Sequence, residues 1–231
     1  MNIRILDNII SLFYPRLCAA CGNALQQHEQ EICLPCMLHL PETNYHLDHD
    51  NPLREIFAGR VKVEEVAALM FYKKGNRVQH VLHHLKYNGK KEIGSYLGEY
   101  YGKKLKEEAR FQDIDGIIPI PLHPKKLRKR GYNQSEWIAN GLACGMGREV
   151  WTDVLARTQF TDTQTRKSRF SRWENVKDVF CVQHPEKIEG KHLLVCDDVL
   201  TTGATMEAAI RQLESVNGVK VSVVTLATAH N

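Results

Sequence analysis

The sequence lacks any long hydrophobic run. In its 231 residues no apolar stretch approaches the roughly 20 residues that a membrane-spanning helix needs. The first apolar segment, Ile3 to Tyr14, is interrupted by Arg4, Asp7 and Asn8, which disfavours a signal peptide. Internal repeats and low-complexity tracts are also missing. These absences exclude a membrane span and a repeat architecture, and the hydrophobic content of 43% is ordinary for a globular protein.

A large excess of charge of one sign is missing too. The formal net charge of +4 permits binding of polyanions without demanding it, so the distribution of the charge is more informative than its sum. A chain of this length can form one sizeable α/β domain with a small appendage.

Two acids and a hydroxyl-rich turn follow an apolar run near the C-terminus. The run around Val195 suits a buried parallel strand, and helical apolar spacing begins after the turn Thr201 to Thr205. Free N–H groups at that helix start suit a phosphate, and Gly203 allows close approach of the backbone. The Asp197 and Asp198 carboxylates suit hydroxyl donors or a metal ion. The junction predicts a ribose 5-phosphate site, the alternative being an acidic strand end before a threonine N-cap.

The cysteines near the N-terminus form two CxxC pairs. Cys18 and Cys21 are separated by eleven residues from Cys33 and Cys36. Four thiolates from two tight turns predict a tetrahedral structural zinc site without an open position for a catalytic water. Disulfides and an iron–sulfur cluster are the alternatives. The metal would fold about 25 residues that are too few to form a core of their own.

The other three of the seven cysteines, Cys144, Cys181 and Cys196, stand singly inside apparent core elements, where we expect buried thiols. Free thiols together with a sugar-phosphate site favour a reducing compartment, the cytoplasm.

The middle of the chain predicts one polar stretch followed by regular elements. Residues 41–59 have little periodicity and suggest a linker. Four histidines, His28, His39, His46 and His49, share no regular spacing, so we expect solvated loop residues. A strand is predicted at Glu65 to Tyr72, helices at Asn76 to Tyr87 and Ile93 to Leu105, and strands at Asp115 to Pro121 and Val219 to Ala227.

Two basic segments follow predicted strands. The first places five cations within Lys125 to Arg130, directly after a core strand, where α/β sheets bind ligands. The second, Arg157 to Lys177, carries Arg166, Lys167, Arg169 and Arg172 on a Ser/Thr/Gln-rich background. Such a segment suits a loop that closes over a diphosphate. For both segments, a solvated surface is the alternative.

The order of these motifs resembles the ComF family of competence-associated, phosphoribosyltransferase-like proteins. The resemblance rests on the four-cysteine ribbon, the HxLKY-like His83 to Tyr87, PIPLHPKKLRKRGYNQ, the spacing within Arg157 to Asn175, and VxDDVLTTGAT. The last motif closely resembles the phosphoribosyl diphosphate (PRPP) motif of type I phosphoribosyltransferases. The resemblance makes Asp197 and Asp198 the ribose contacts.

Further site residues follow from the same resemblance. It assigns the 5-phosphate to a loop of five residues, Thr201, Thr202, Gly203, Ala204 and Thr205. It assigns the diphosphate, with Mg²⁺, to cations that we place at Arg128, Lys129, Arg130 and Arg166. It also implies a cytoplasmic PRPP-binding protein that handles incoming single-stranded DNA together with the DNA-uptake machinery, with or without phosphoribosyl transfer.

Thr201 departs from the purine-type enzymes, which carry a base-contacting acid at that position, so the acceptor is not identified. The alternatives are therefore a metabolic phosphoribosyltransferase with a nitrogenous acceptor and a PRPP-sensing regulator. We expect a mainly parallel, twisted sheet of about five strands flanked by helices, of the type I phosphoribosyltransferase class. Residues 1–60 would hold an N-terminal helix with Ile5, Ile9 and Leu12 on one face, the ribbon and the linker, and residues 61–231 the phosphoribosyltransferase-like domain.

Overall fold

A five-stranded parallel sheet forms the centre of the chain in the computed structural model, which describes residues 15–157 and 179–229. Its strands are β1 (Val66–Phe71), β2 (Gly116–Pro119), β3 (Glu149–Val150), β6 (His192–Leu200) and β7 (Lys220–Thr228), in the order β1-β7-β6-β2-β3. A separate antiparallel pair consists of β4 (Leu155–Arg157) and β5 (Phe180–Val182). The central strands are almost continuously apolar because helices cover both faces of the sheet. The expectation of a mainly parallel sheet of about five strands is confirmed.

Helices flank the sheet on both sides. They are α1 (Leu34–Leu38), α2 (Arg77–Tyr87), α3 (Glu92–Glu107), α4 (Pro124–Arg130), α5 (Gln134–Met146), α6 (Pro185–Ile188) and α7 (Ala204–Leu213). Short 3₁₀ helices cover Tyr45–Leu47, Pro52–Ile56 and Ala109–Phe111. Asn76 begins α2 as a side-chain cap that accepts a hydrogen bond from the Gln79 N–H at 3.1 Å.

Alternate residues of the strands belong to two hydrophobic cores. In β1, Ala67 and Leu69 pack in the core that contains the apolar faces of α2, α3 and α5, whereas Val66 and Ala68 pack in the core of α7, β4 and β5. This alternation follows from the two-residue period of a strand. The sheet is thereby covered on both faces and exposes its strand ends.

Helices α3 and α5 approach each other closely through glycines. A Cβ atom added at Gly98 would lie 2.5 Å from the Ile138 carbonyl oxygen, and one at Gly102 would lie 2.6 Å from the Leu142 carbonyl oxygen. Only glycine allows backbones to pack at this distance. The contact holds α5 against the sheet, and α5 in turn positions Ser135 near the end of β6.

The cysteine ribbon packs on the sheet domain. Cys18, Ile32 and Cys33 are buried in the same core as Leu85 and Leu97. The division of the chain into residues 1–60 and 61–231 as two folding units stays a prediction. In the structure, described residues from both ranges pack in one continuous core.

Residues 41–59 differ from the expected linker. The Asn51 side chain donates hydrogen bonds to the carbonyl oxygens of Tyr45, Asp48 and Val66, the last at 2.9 Å. Leu53 and Phe57 are fully buried in the core that contains α7. The stretch lacks a helical or strand period because its apolar residues are presented by short 3₁₀ turns.

Two side-chain expectations are wrong. His46 is buried, with its ring edge-on to Tyr101 at 5.6 Å between centroids, and is therefore not a solvated loop residue. Cys144 is exposed and Cys181 is partly exposed, so only Cys196 of the three single cysteines is buried as expected. The predicted N-terminal helix at Ile5, Ile9 and Leu12 lies outside the described residues.

Candidate functional site

A polar cleft opens at the carboxyl ends of β2 and β6, the neighbouring strands at the middle of the sheet. Its cavity of about 180 Å³ is lined by Lys86, Ile120, Pro121, Leu122, Lys126, Arg130, Gln134, Ser135, Arg157, Asp197, Asp198 and Thr205. The position agrees with the rule that open α/β sheets bind ligands where their strands end. The predicted acid pair and the predicted turn meet here.

Asp197 and Asp198 have different partners. Asp197 Oδ1 accepts hydrogen bonds from Ser135 Oγ at 2.7 Å and from the Asp198 N–H at 2.8 Å. Asp198 Oδ1 forms an ion pair with Lys86 Nζ at 2.8 Å. The second carboxylate oxygen of Asp198, Oδ2, is buried without a hydrogen-bond partner in the described part of the chain. A buried, unpaired carboxylate oxygen is costly, and a hydroxyl donor would satisfy it.

Burial and the adjacent Asp198 charge raise the pKa of Asp197 to about 7, against the lowering effect of Ser135 and Lys86. Like charges on adjacent carboxylates disfavour ionisation of both. Asp197 therefore changes its charge near neutral pH, where a carboxyl group with ordinary surroundings is already ionised.

The predicted phosphate loop lies beside the acids. Residues 199–206 and Asp197 line a second, smaller cavity of about 50 Å³, which shares Asp197 and Thr205 with the cleft. Gly203 is the N-cap of α7 and has φ +75°, and no side chain caps the helix start. A Cβ atom at Gly203 would lie 2.5 Å from Ile56 Cγ2, so both backbone conformation and packing require glycine. The uncapped N–H groups of a ten-residue helix suit an anion.

The predicted cations divide into two groups. Arg130 lines the cleft, donates to Gln134 Oε1 at 2.8 Å and lies over the Tyr87 ring at 5.1 Å. Arg128 and Lys129 are exposed on α4 and are not among the residues that line the cleft. Arg166 lies outside the described residues, as do Lys167, Arg169 and Arg172.

Four Sγ atoms converge at the predicted metal centre. Those of Cys18, Cys21, Cys33 and Cys36 all lie within 4.8 Å of one another. Cys21 Sγ and Cys33 Sγ are 3.7 Å apart. Zinc–sulfur bonds of about 2.3 Å in a tetrahedron give sulfur–sulfur edges of about 3.8 Å, so the cluster fits zinc.

Backbone groups support these thiols. Cys18 Sγ accepts hydrogen bonds from the Ala20 N–H at 3.4 Å and from the Cys33 N–H at 3.3 Å. Burial raises the pKa of Cys18, but the backbone donors outweigh burial and lower the pKa to about 7. Arg77, the first residue of α2, places Nη1 3.7 Å from Cys36 Sγ and adds a positive charge beside the sulfurs.

Comparison with known proteins matches both parts of the chain. A family model described as "Phosphoribosyl transferase domain" matches residues 136–231. The chain is 28% identical over 207 residues to the DNA utilization protein YhgH of Escherichia coli O157:H7, which covers 87% of this chain and 85% of that protein. It is also 28% identical over 116 residues to Competence protein F of Haemophilus influenzae, which covers 50% of this chain and 51% of that protein.

These relatives and the matched domain support the predicted assignment to the ComF family. A phosphoribosyltransferase-type domain and a four-cysteine cluster occur together in the chain, as the sequence predicts. Among solved structures, the chain is similar to the glutamine PRPP amidotransferase of B. subtilis complexed with ADP and GMP, with 20% identity and a TM-score of 0.39 over 57% of this chain. It spans about a quarter of that enzyme, 26% of its length.

Three residues that line the cleft had no role assigned from sequence. Lys86 belongs to the quoted His83 to Tyr87 motif, so the motif could have pointed to it. The sequence of a helix does not, however, reveal which distant strand each of its residues contacts. Ser135 follows the quoted GYNQ directly and is brought to Asp197 by α5. Arg157 ends β4, and its Nε is buried without a partner among the described residues.

Burial lowers the pKa of the Arg157 guanidinium, and the Asp197 charge partly offsets that effect. An arginine in this position adds to the positive wall of the cleft.

No helix within residues 15–157 or 179–229 is long and apolar enough to cross a bilayer.

Proposed function

We propose that the chain binds PRPP with Mg²⁺ in the cleft and acts in the cytoplasm on incoming single-stranded DNA. PRPP binding is supported by one observation: the buried Asp198 Oδ2, which has no hydrogen-bond partner among the described residues, lies beside the uncapped start of α7. A ribose hydroxyl would satisfy the oxygen and a 5-phosphate would satisfy the helix N–H groups, so both orphaned features match one ligand.

Each part of PRPP has a counterpart in the cleft. The Asp197 and Asp198 carboxylates accept hydrogen bonds from the ribose hydroxyls. Backbone N–H groups within Thr201 to Thr205 bind the 5-phosphate. The diphosphate faces the cations Lys126, Arg130 and Arg157 that line the same cavity.

The donor set of the cleft fits magnesium delivered with the diphosphate. In the described residues, the cysteine cluster is the sole group of three or more metal-ligating side chains, so the cleft lacks an all-protein magnesium cage. Mg²⁺ commonly binds one or two carboxylates and takes its other ligands from phosphates and water. When bound, the ion neutralises charge on the diphosphate, and the protein supplies carboxylate oxygens at Asp197 and Asp198.

For the cysteine centre we propose structural zinc. Four sulfur atoms within 4.8 Å of one another, with Cys18 Sγ held by two backbone N–H groups, form a closed site. The assignment is tested by measuring metal content after purification, with about one zinc per chain expected. Iron with acid-labile sulfide would contradict it.

Isothermal titration with PRPP and Mg²⁺ tests the cleft. We expect saturable binding by the wild type and at least a tenfold loss of affinity in Asp198→Asn, because the ribose loses a charged acceptor. The same substitution at exposed Asp113 is the matched control and leaves the affinity unchanged. An absence of binding by the folded wild type would refute the proposal.

The exposed face of α4 supports the DNA half of the proposal. Lys125, Arg128 and Lys129 are exposed, and none of them forms an ion pair within the described ranges. The HPKKLRKR segment thus presents cations that are free to contact phosphates.

Fluorescence anisotropy with labelled single-stranded DNA at several salt concentrations tests this surface. Replacing Lys125, Arg128 and Lys129 by Gln removes three phosphate contacts, so we expect weaker binding and a salt dependence reduced by about two units of slope. The matched control replaces Lys62, Lys106 and Lys220 by Gln, an equal change of charge on other surfaces. Equal losses in both variants would contradict a dedicated surface, and a preference for duplex DNA would favour a regulator instead.

The cations of the cleft favour a second candidate, phosphoribosyl transfer. In that reaction the bond from ribose C1 to the diphosphate oxygen breaks, its electron pair leaves with the diphosphate, and a nitrogen nucleophile bonds to C1 and releases its proton. Lys126, Arg130 and Arg157 would stabilise the leaving group. Release of diphosphate that requires both PRPP and an acceptor, and that is lost in Asp198→Asn, would establish transfer.

The thiol inventory supports the cytoplasm as the location. All seven cysteines are free: four form the ribbon cluster and three lie in regular elements. Free thiols favour a reducing compartment. Cell fractionation tests the assignment, and recovery of the chain outside the cytoplasmic fraction would contradict it.

A further inference from the structure

The ion pair between Lys86 and Asp198 occupies part of the cleft that the sugar needs. Lys86 Nζ lies 2.8 Å from Asp198 Oδ1, and the two side chains are 23% and 7% exposed. Lys86 lies on the last turn of α2, and Asp198 lies near the end of β6, so the pair spans the cleft. A cation that is bound to a ribose-binding acid competes with the ribose.

We propose that Lys86 is a specificity-determining residue that exchanges Asp198 for the diphosphate when PRPP binds. The inference rests on the proposed function, since it takes PRPP as the ligand of the cleft. It adds a residue that distinguishes PRPP from sugar phosphates that lack the diphosphate.

The two carboxylate oxygens of Asp198 differ in their capacity to accept hydrogen bonds. Its Oδ2 is free to accept a ribose hydroxyl, but its Oδ1 is engaged by Lys86. Asp197 Oδ1 already accepts two hydrogen bonds. A diol that uses both oxygens of Asp198 therefore competes with the Lys86 ammonium for Oδ1.

The displaced ammonium needs a new partner. Lys86 is mostly buried, and removing one member of a shielded ion pair leaves an uncompensated charge, which is unfavourable. A ligand that brings an anion to the same cavity offsets that cost, whereas a ligand without the anion does not. Ribose 5-phosphate brings its phosphate to the loop at α7 and carries no group for Lys86.

The other cations of the cleft do not perform this exchange. Arg130 is held by Gln134 at 2.8 Å and by the Tyr87 ring, and Arg157 lies over the Phe180 ring at 5.2 Å. Neither of these, nor Lys126, the remaining cation that lines the cleft, forms an ion pair within the described part of the chain. Of these cations, Lys86 couples an acid of the ribose site to the diphosphate.

Affinities of two ligands for the full chain, PRPP with Mg²⁺ and ribose 5-phosphate with Mg²⁺, test the proposal by isothermal titration. In Lys86→Met we expect PRPP binding to weaken about 10- to 100-fold, since a charge-assisted contact is lost. Ribose 5-phosphate binding stays within twofold of the wild type or becomes tighter, because no ion pair has to be broken. Lys86→Arg restores part of the PRPP affinity, and Lys106→Met, an exposed lysine on α3, changes neither affinity.

A second measurement uses the wild type alone and does not depend on any variant folding. Ribose 5-phosphate is titrated with and without saturating inorganic diphosphate. Bound diphosphate supplies an anion for the Lys86 ammonium, so the ribose no longer leaves that charge unpaired. We therefore expect diphosphate to tighten ribose 5-phosphate binding several-fold.

Three outcomes overturn the inference while leaving PRPP binding in place. They are equal weakening of both ligands in Lys86→Met, unchanged PRPP affinity in that variant, and an absence of coupling between diphosphate and ribose 5-phosphate in the wild type. Failure of the folded wild type to bind either PRPP or ribose 5-phosphate refutes the proposed function itself, so the two failures are distinguishable.

Discussion

Two adjacent aspartates with different surroundings give the cleft its chemistry. Asp198 forms an ion pair with Lys86. Asp197 instead accepts hydrogen bonds from Ser135 and a backbone N–H, and lies beside the Asp198 carboxylate. Burial and that charge move the pKa of Asp197 from its ordinary value near 3.8 to about 7. The protein therefore keeps an acid with a destabilised charged form in the cleft, which is typical of a functional site.

Removing the charge of Asp197 should stabilise the unliganded protein at alkaline pH. Because the carboxyl group holds its proton more tightly in the folded protein, its contribution to stability is complete below about pH 4 and is lost as the pH rises through about 7. Asn keeps the Oδ1 acceptor for Ser135 and has no charge to bury. We expect Asp197→Asn to raise Tm by a few °C at pH 8 and by a smaller amount at pH 5, measured by differential scanning fluorimetry.

The same change at exposed Asp113 provides the control for Asp197→Asn and should leave Tm unchanged at both pH values. A stability gain in Asp197→Asn that is equal at pH 5 and pH 8 would show that packing, rather than ionisation, is responsible. Asp197→Asn should also bind PRPP more weakly than the wild type, because an amide oxygen is a poorer hydrogen-bond acceptor than a carboxylate oxygen.

At the scale of elements, α2 connects the four-cysteine cluster to the cleft. Its first residue, Arg77, contacts Cys36 Sγ at 3.7 Å, and its last turn carries Lys86. Lys90, just after the helix, donates to the Leu17 carbonyl oxygen of the ribbon at 3.3 Å. One helix thus has contacts with the ribbon at its start and just beyond its end.

Loss of the Arg77 guanidinium should weaken metal binding. Four thiolates around one zinc ion carry a net negative charge, and Arg77 is a cation beside them. We expect Arg77→Met to lower zinc affinity about tenfold, measured by competition with a chromogenic chelator. Lys74→Met, an exposed lysine just before α2, is the control. Equal zinc affinities of Arg77→Met and the wild type would assign Arg77 a surface role only.

The contact between α3 and α5 should not tolerate a methyl group. A Cβ atom at Gly98 would lie 2.5 Å from the Ile138 carbonyl oxygen, within backbone that cannot rotate away. We expect Gly98→Ala to lower the free energy of unfolding by about 1–3 kcal/mol, measured by urea denaturation. Asn140→Ala, at an exposed position of α5, is expected to change it by less than about 0.5 kcal/mol. Similar values for the two variants would contradict the close approach.

Sequence patterns predicted the elements whose residues repeat, and missed those that do not. The apolar period of Asn76 to Tyr87 predicted α2, and the continuous apolar runs predicted β1, β6 and β7. Residues 41–59 gave no period because 3₁₀ turns place Leu53 and Phe57 in the core one at a time. Pattern analysis is informative only where the backbone itself is periodic.

The candidate site was predictable to the extent that it is local in sequence. The acids and the phosphate loop follow one strand, so their proximity is a consequence of chain connectivity. Lys86 and Ser135 reach the acids from α2 and α5, and only the tertiary arrangement decides which face of each helix meets β6. The missed residues are those contributed by other elements.

At the scale of the whole molecule, the ribbon and the sheet domain share one hydrophobic core. Cys18 and Cys33 are buried together with Leu194 of β6 and Val224 of β7 in a single cluster. A structural metal stabilises a fold by the free energy of binding to the folded state alone. The free energy of zinc binding should therefore stabilise the sheet as well as the ribbon.

Removal of the metal should consequently destabilise the whole chain. We expect a strong chelator to lower the Tm of one cooperative transition in differential scanning calorimetry, without a separate low-temperature step. Cys33→Ser should show the lowered Tm without chelator, and Cys144→Ser, which changes an exposed thiol outside the cluster, should respond to chelator as the wild type does. A ribbon that melts alone while the main transition stays in place would instead establish two folding units divided near residue 60, because a shared core cannot lose one side and keep its stability.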